Sequence, residues 1–123
     1  MERARVVKDE MTDRDTRFLA VYVETRNSCL ILLSEREDKL GTLAVAVPRS
    51  KDFPGPQPSS VLLGDKNVIS ARMFAEYLAT KKGRIALASI YLERMNEKQA
   101  QSIFNRLIGK IIHDENDEEG IKT

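Results

Sequence analysis

Tryptophan is absent from this 123-residue chain, and cysteine and histidine occur once each. A lone cysteine, Cys29, rules out an internal disulfide and fits a reducing compartment. A lone histidine, His113, with no companion cysteines, rules out the usual zinc-ligand sets. No apolar run approaches the roughly 18 residues needed to cross a bilayer as a helix. The opening Met1-Glu2-Arg3-Ala4-Arg5 lacks the apolar segment of a secretory signal, so an intracellular, cytoplasmic setting is expected. An excess of one charge is missing too. Twenty basic against nineteen acidic residues leave a net charge of +1, which offers little to nucleic acid or to an anionic membrane.

Hydrophobic residues make up 41% of the chain, enough for one modest core, and the length suits one domain. That domain is expected over residues 1–113. The acidic run Asp114-Glu115-Asn116-Asp117-Glu118-Glu119 and the last residues form a tail, 114–123, that cannot bury apolar area and is expected to be disordered.

The first half reads as strands. Arg5 to Glu10 is one candidate; Arg17 to Glu24 and Ser28 to Ser34 are richer in β-branched and aromatic residues. Thr25-Arg26-Asn27 is short enough for a hairpin. After the charged turn Glu35 to Lys39 and Gly41, Thr42 to Val47 returns as a strand, which predicts an antiparallel meander. All four prolines fall between Pro48 and Pro58 and break the pattern into a loop. A short strand, Val61 to Leu63, and the Gly64-Asp65 turn follow.

A helix is expected from about Asn67 to Lys82, with Ile69, Met73, Phe74, Tyr77 and Leu78 as its apolar face and Gly83 as its stop. Arg84 to Leu92 reads as a further strand. Asn96 and Gln99 have capping-box spacing at the head of a second helix, whose stripe runs through Ala100, Ile103, Phe104, Leu107, Ile108, Ile111 and Ile112. The fold class is therefore α+β: an antiparallel β-sheet meander with two helices on one face.

The strands do not alternate apolar with polar. Phe18, Ala20 and Tyr22 oppose Leu19, Val21 and Val23; Cys29, Ile31 and Leu33 oppose Leu30 and Leu32. Both faces want cover, and two helices cover one. The other face is read as a dimer interface, unless the amino-terminal segment or the long loop folds over it; Leu19, Val21, Val23, Leu30 and Leu32 are named for the dimer-interface or core face of the sheet, the pattern leaving open which of the two it is.

No catalytic, metal or cofactor site emerges, and no cofactor is required. Cys29 sits inside an apolar strand and His113 at a helix end, far from a nucleophile pair. Val61-Leu62-Leu63-Gly64-Asp65 lacks the Gly-Lys-Ser/Thr ending of a phosphate loop. The loop Pro48 to Ser59 is the segment named for partner binding, through Arg49, Lys51 and Phe53.

The strand opening Gly41-Thr42-Leu43, the Val61-Leu62-Leu63-Gly64-Asp65 block and the apolar strand at Ile85, over roughly Ser28 to Ile112, resemble the small proteasome assembly chaperones of types three and four. The resemblance implies a non-enzymatic protein that pairs through its sheet, with itself or a paralogous chaperone subunit, and binds proteasome α-subunits while the α-ring forms. Some such chaperones dock through a carboxy-terminal hydrophobic-Tyr-any tail; Gly120-Ile121-Lys122-Thr123 has no tyrosine, so contact through the folded body is expected instead. The alternative reading is a dimerising longin- or roadblock-like scaffold for GTPases or trafficking factors.

Overall fold

The computed structural model describes residues 2–49, 52 and 58–122, with side chains through Ile112. Among the described residues, eight elements follow in order: β1 Arg5–Asp13, β2 Thr16–Glu24, β3 Ser28–Glu35, β4 Thr42–Ala46, β5 Ser59–Leu63, α1 Val68–Lys82, β6 Ile85–Tyr91 and α2 Glu97–Lys122. The strands form one open sheet in the order β1-β2-β3-β6-β4-β5. The α+β class stands, and β1 to β3 form the expected antiparallel meander.

The meander stops there. β4 does not return beside β3; β6 lies between them, parallel to β3 and antiparallel to β4. The six residues between β3 and β4 need only cross two strand spacings, about 10 Å, so a short connection did not oblige a hairpin. The crossing is tight at Gly41, where a Cβ would stand 2.1 Å from the Ile90 carbonyl oxygen. Gly64 is the second such point. Its φ is +92°, and a Cβ there would meet Thr42 Oγ1 at 2.4 Å.

Both helices cover one face. Phe18, Ala20 and Tyr22 of β2, Cys29, Ile31 and Leu33 of β3, and the alanines of β4 and β6 form its floor. α1 lays Ala71, Ala75 and Ala79 over Ala44, Ala46, Ala86 and Ala88, so helix and sheet approach closely. The buried stripe of α1 is Ala71, Phe74, Ala75, Leu78 and Ala79. Of the five residues expected to face inward, only Phe74 and Leu78 do. Ile69, Met73 and Tyr77 are 74%, 37% and 42% exposed. Helical spacing offered two adjacent stripes, and the alanine-lined floor selected the smaller one. Phe104 of α2 packs edge-on against both Phe18, at 5.7 Å, and Phe74, at 6.4 Å, joining the helices over the sheet.

Asn96 caps α2 as its spacing predicts: the Gln99 N–H donates to Asn96 Oδ1 at 2.9 Å, while the reciprocal bond runs from the Asn96 side-chain Nδ2, not its backbone N–H, to Gln99 Oε1 at 3.1 Å. Asn67 and Gly83, both left-handed, bound α1. The α2 backbone runs on to Lys122, through the acidic segment, instead of ending near His113.

Two buried carboxylates organise the ends of the sheet. Glu24 accepts from the Tyr22 hydroxyl at 2.6 Å and pairs with Lys82 and Arg84 at 3.0 Å each, tying β2 to the α1–β6 junction. Glu35, 1% exposed, accepts from the backbone N–H groups of Glu93, Arg94 and Met95 and so fixes the turn into α2.

Candidate interaction surface

Strand register decides what the sheet face left uncovered by both helices displays among the described residues. Val21 stands opposite Leu32, and Leu32 opposite Ser89; Val23 stands opposite Leu30, Leu30 opposite Leu87, and Leu87 opposite Val45. Directly paired residues share a face, so these side chains form one apolar band across β2, β3, β6 and β4, away from both helices. Most of them are half-buried by their neighbours alone. Val6, Val47 and Ile85, at 56%, 41% and 41% exposure, extend the band to its margin.

All five sheet residues named from sequence lie on this face. Leu19 differs from the rest: it is 8% exposed, in a hollow lined by Lys8, Glu10, Arg17 and Asp38. The residues of this face not named from sequence include Leu43 and Val45 of β4. Their signal was available, because Leu43 and Val45 alternate with Ala44 and Ala46, which face α1.

The band has polar limits. On β1 the residues of this face are Val6, Lys8, Glu10 and Thr12, and Arg17 pairs with Glu10 at 3.3 Å. At the C-terminal end of β3 and β6 the loop 36–41 closes over the face. The Ser34 hydroxyl bonds both the N–H and the carbonyl of Lys39, and the Gly41 N–H donates to Ser89 Oγ at 2.8 Å. An apolar centre with a polar rim is the anatomy of a protein–protein contact.

Of the loop named for partner binding, Arg49 is exposed just beyond β4. Lys51 and Phe53 lie outside the described residues. Cys29 is buried beneath the helices; burial pushes its thiol up to about 11, against the pull of the Tyr22 hydroxyl and with help from the Glu24 charge. A neutral thiol so placed packs as a small apolar side chain.

No family model and no curated protein sequence matches the chain. Among solved structures, one match is a chain of the crystal structure of a novel chaperone complex for yeast 20S proteasome assembly. The likeness spans 94% of this chain and 97% of that one, with a TM-score of 0.66 at 10% sequence identity, so the two share a fold.

Proposed function

We propose that this protein is a non-enzymatic chaperone of proteasome core-particle assembly, working as a dimer that holds α-subunits during formation of the α-ring. The observation that carries the reading is the end-to-end likeness of fold to a chain of a 20S assembly chaperone complex. The apolar band on the uncovered face supports the dimer. Leu30, Leu32, Val21, Val23 and Leu87 are arranged to meet a second such sheet, of the same chain or of a paralogous subunit. A standard interface removes about 800 Å² per partner from water, within the reach of such a face. The proline-rich segment 48–59, with Arg49, Lys51 and Phe53, is assigned to the α-subunit, leaving the sheet to the dimer.

Assembly in this scheme needs no bond chemistry. The chaperone masks α-subunit surface until a later subunit competes for it, so the required property is a contact that is specific and reversible. Native mass spectrometry of the protein alone, and after co-expression with its host's α-subunits, tests the reading. A dimer that captures a defined α-subunit is the expected result. A dimer that ignores every α-subunit overturns the chaperone role and leaves the sheet interface standing; a monomer at micromolar concentration removes the interface.

A further inference from the structure

The hairpin joining β1 to β2 turns through Arg14 and Asp15, at φ 49° and 67°. A two-residue turn with both central residues at positive φ is the type I′ geometry, which favours Asn-Gly because a Cβ is crowded there. At the exit of β3, Arg36 stands at φ 75°, and the Glu37 N–H bonds back to the Glu35 carbonyl at 2.9 Å. That is a γ-turn of the rarer, strained hand. Among the described residues, the non-glycine positions with positive φ are Arg14, Asp15, Arg36 and Asn67. The last caps a helix. The other three line one cleft of about 350 Å³, together with Glu35, Arg94 and Met95. Backbone strain gathered in one place marks a site held in shape for something other than stability.

Arg94 reaches the same cleft by a different device. The buried Glu35 carboxylate holds the backbone of residues 93–95 through three N–H groups, which sets where Arg94 and Met95 begin. Among the described residues no carboxylate pairs with Arg14 or Arg94, whereas Arg36 pairs with Glu93 at 3.7 Å. Three arginines against Asp15, Glu35 and the Glu93 beside Arg36 balance overall, and Arg14 and Arg94 are the guanidinium groups of the lining that no described carboxylate meets. Two unpaired guanidinium groups suit one or two carboxylates. They do not suit a polyanion such as RNA, which needs an extended basic stripe. Guanidinium forks bind carboxylates in pairs of hydrogen bonds, and Met95 offers an apolar wall to a peptide's methylenes.

We propose that the cleft between the β1–β2 turn, the exit of β3 and the turn into α2 binds an acidic segment of a partner protein, with Arg14 and Arg94 taking its carboxylates and Arg36, held by Glu93, lining the wall. It lies at one end of the sheet, beside the turn into α2. The proposal goes beyond the chaperone reading and holds whichever protein supplies the acidic segment.

A blocked hexaglutamate peptide serves as the probe, titrated into isotope-labelled protein while the arginine Nε–Hε signals are followed by NMR. Shifts confined to Arg14, Arg36 and Arg94 are expected, weakening strongly between about 50 and about 300 mM salt. The R14A/R94A double variant should lose affinity by roughly tenfold or more with an unchanged melting curve. Arg14→Asn/Asp15→Gly separates strain from folding, since it supplies the preferred turn residues; a higher melting temperature with weaker peptide binding is expected. Shifts spread over other basic residues, or binding that survives R14A/R94A, overturn the proposal. Inorganic phosphate displacing the peptide at equal concentration also overturns it, and assigns the cleft to a free anion. None of these outcomes depends on an α-subunit being present, so failure here and failure of the chaperone assignment are told apart.

Discussion

Leu32 is the residue on which the dimer assignment turns. It occupies the middle of the uncovered face, between Val21 on β2 and Ser89 on β6, and is half-buried in the single chain. In Leu32→Asp the carboxylate of an isolated chain still reaches water, so unfolding free energy should fall by no more than about 1 kcal/mol. In a two-fold dimer the change occurs twice, and each copy loses part of a leucine's burial and gains a desolvated charge. Leucine burial is worth about 1.5–3 kcal/mol when complete, and an unpaired buried carboxylate costs several more. A low figure of about 2 kcal/mol per copy gives about 4 kcal/mol for the pair, or roughly a thousandfold in Kd. Sedimentation velocity over a dilution series reads the association, and urea unfolding of the variant reads the chain itself. Met73→Asp, on the outer face of α1, serves as control and should change association by no more than roughly twofold. The reasoning is refuted by a Leu32→Asp protein that associates like the parent. It is refuted equally if unfolding free energy drops by about 3 kcal/mol or more while association persists, since Leu32 would then be an internal core residue.

Gly41→Ala should lower stability by about 1–3 kcal/mol or more, read as a lower urea midpoint, because its Cβ would stand against the Ile90 carbonyl and the backbone there cannot yield without parting β6 from β4. Glu35→Ala leaves the N–H groups of residues 93–95 without their acceptor and should cost about 2–4 kcal/mol, with hydrogen exchange at those amides accelerated most. The Cys29 thiol, raised in the folded chain to about 11, keeps its proton where the unfolded chain, at the ordinary 9.0, has begun to lose it. Folded protein therefore binds more protons between those two values, and stability should fall as pH rises from about 9 to about 11, relative to Cys29→Ala. Paired melting curves check it; parallel pH profiles for the two proteins would contradict it.

Local chemistry made much of this molecule legible from sequence. The Asn96 cap, the Gly83 stop and the short Thr25-Arg26-Asn27 turn each act within a few residues, so their outcome needed no tertiary context. The two apolar sides of β2 and β3 were equally plain, because side chains alternate across a strand whatever its neighbours are. The inward stripe of α1 was not legible. Alanine carries little weight in a hydrophobic pattern, and the choice between Ile69-Met73-Tyr77 and Ala71-Ala75-Ala79 was made by the alanines of β4 and β6 beneath. The arginine cleft left no trace in sequence either, since Arg14, Arg36 and Arg94 are scattered among acids along the chain.

Sequence by itself therefore determined the elements, most of their ends, and the presence of more apolar strand surface than two helices can cover. Only the tertiary structure decided that β6 would enter between β3 and β4, because strand order depends on non-local pairing that no short segment encodes. That single insertion aligns Leu87 with Leu30 and Val45, turning separate apolar strands into one continuous band. It also brings the exits of β3 and β6 to the same end of the sheet, where Glu35 can hold the turn that carries Arg94.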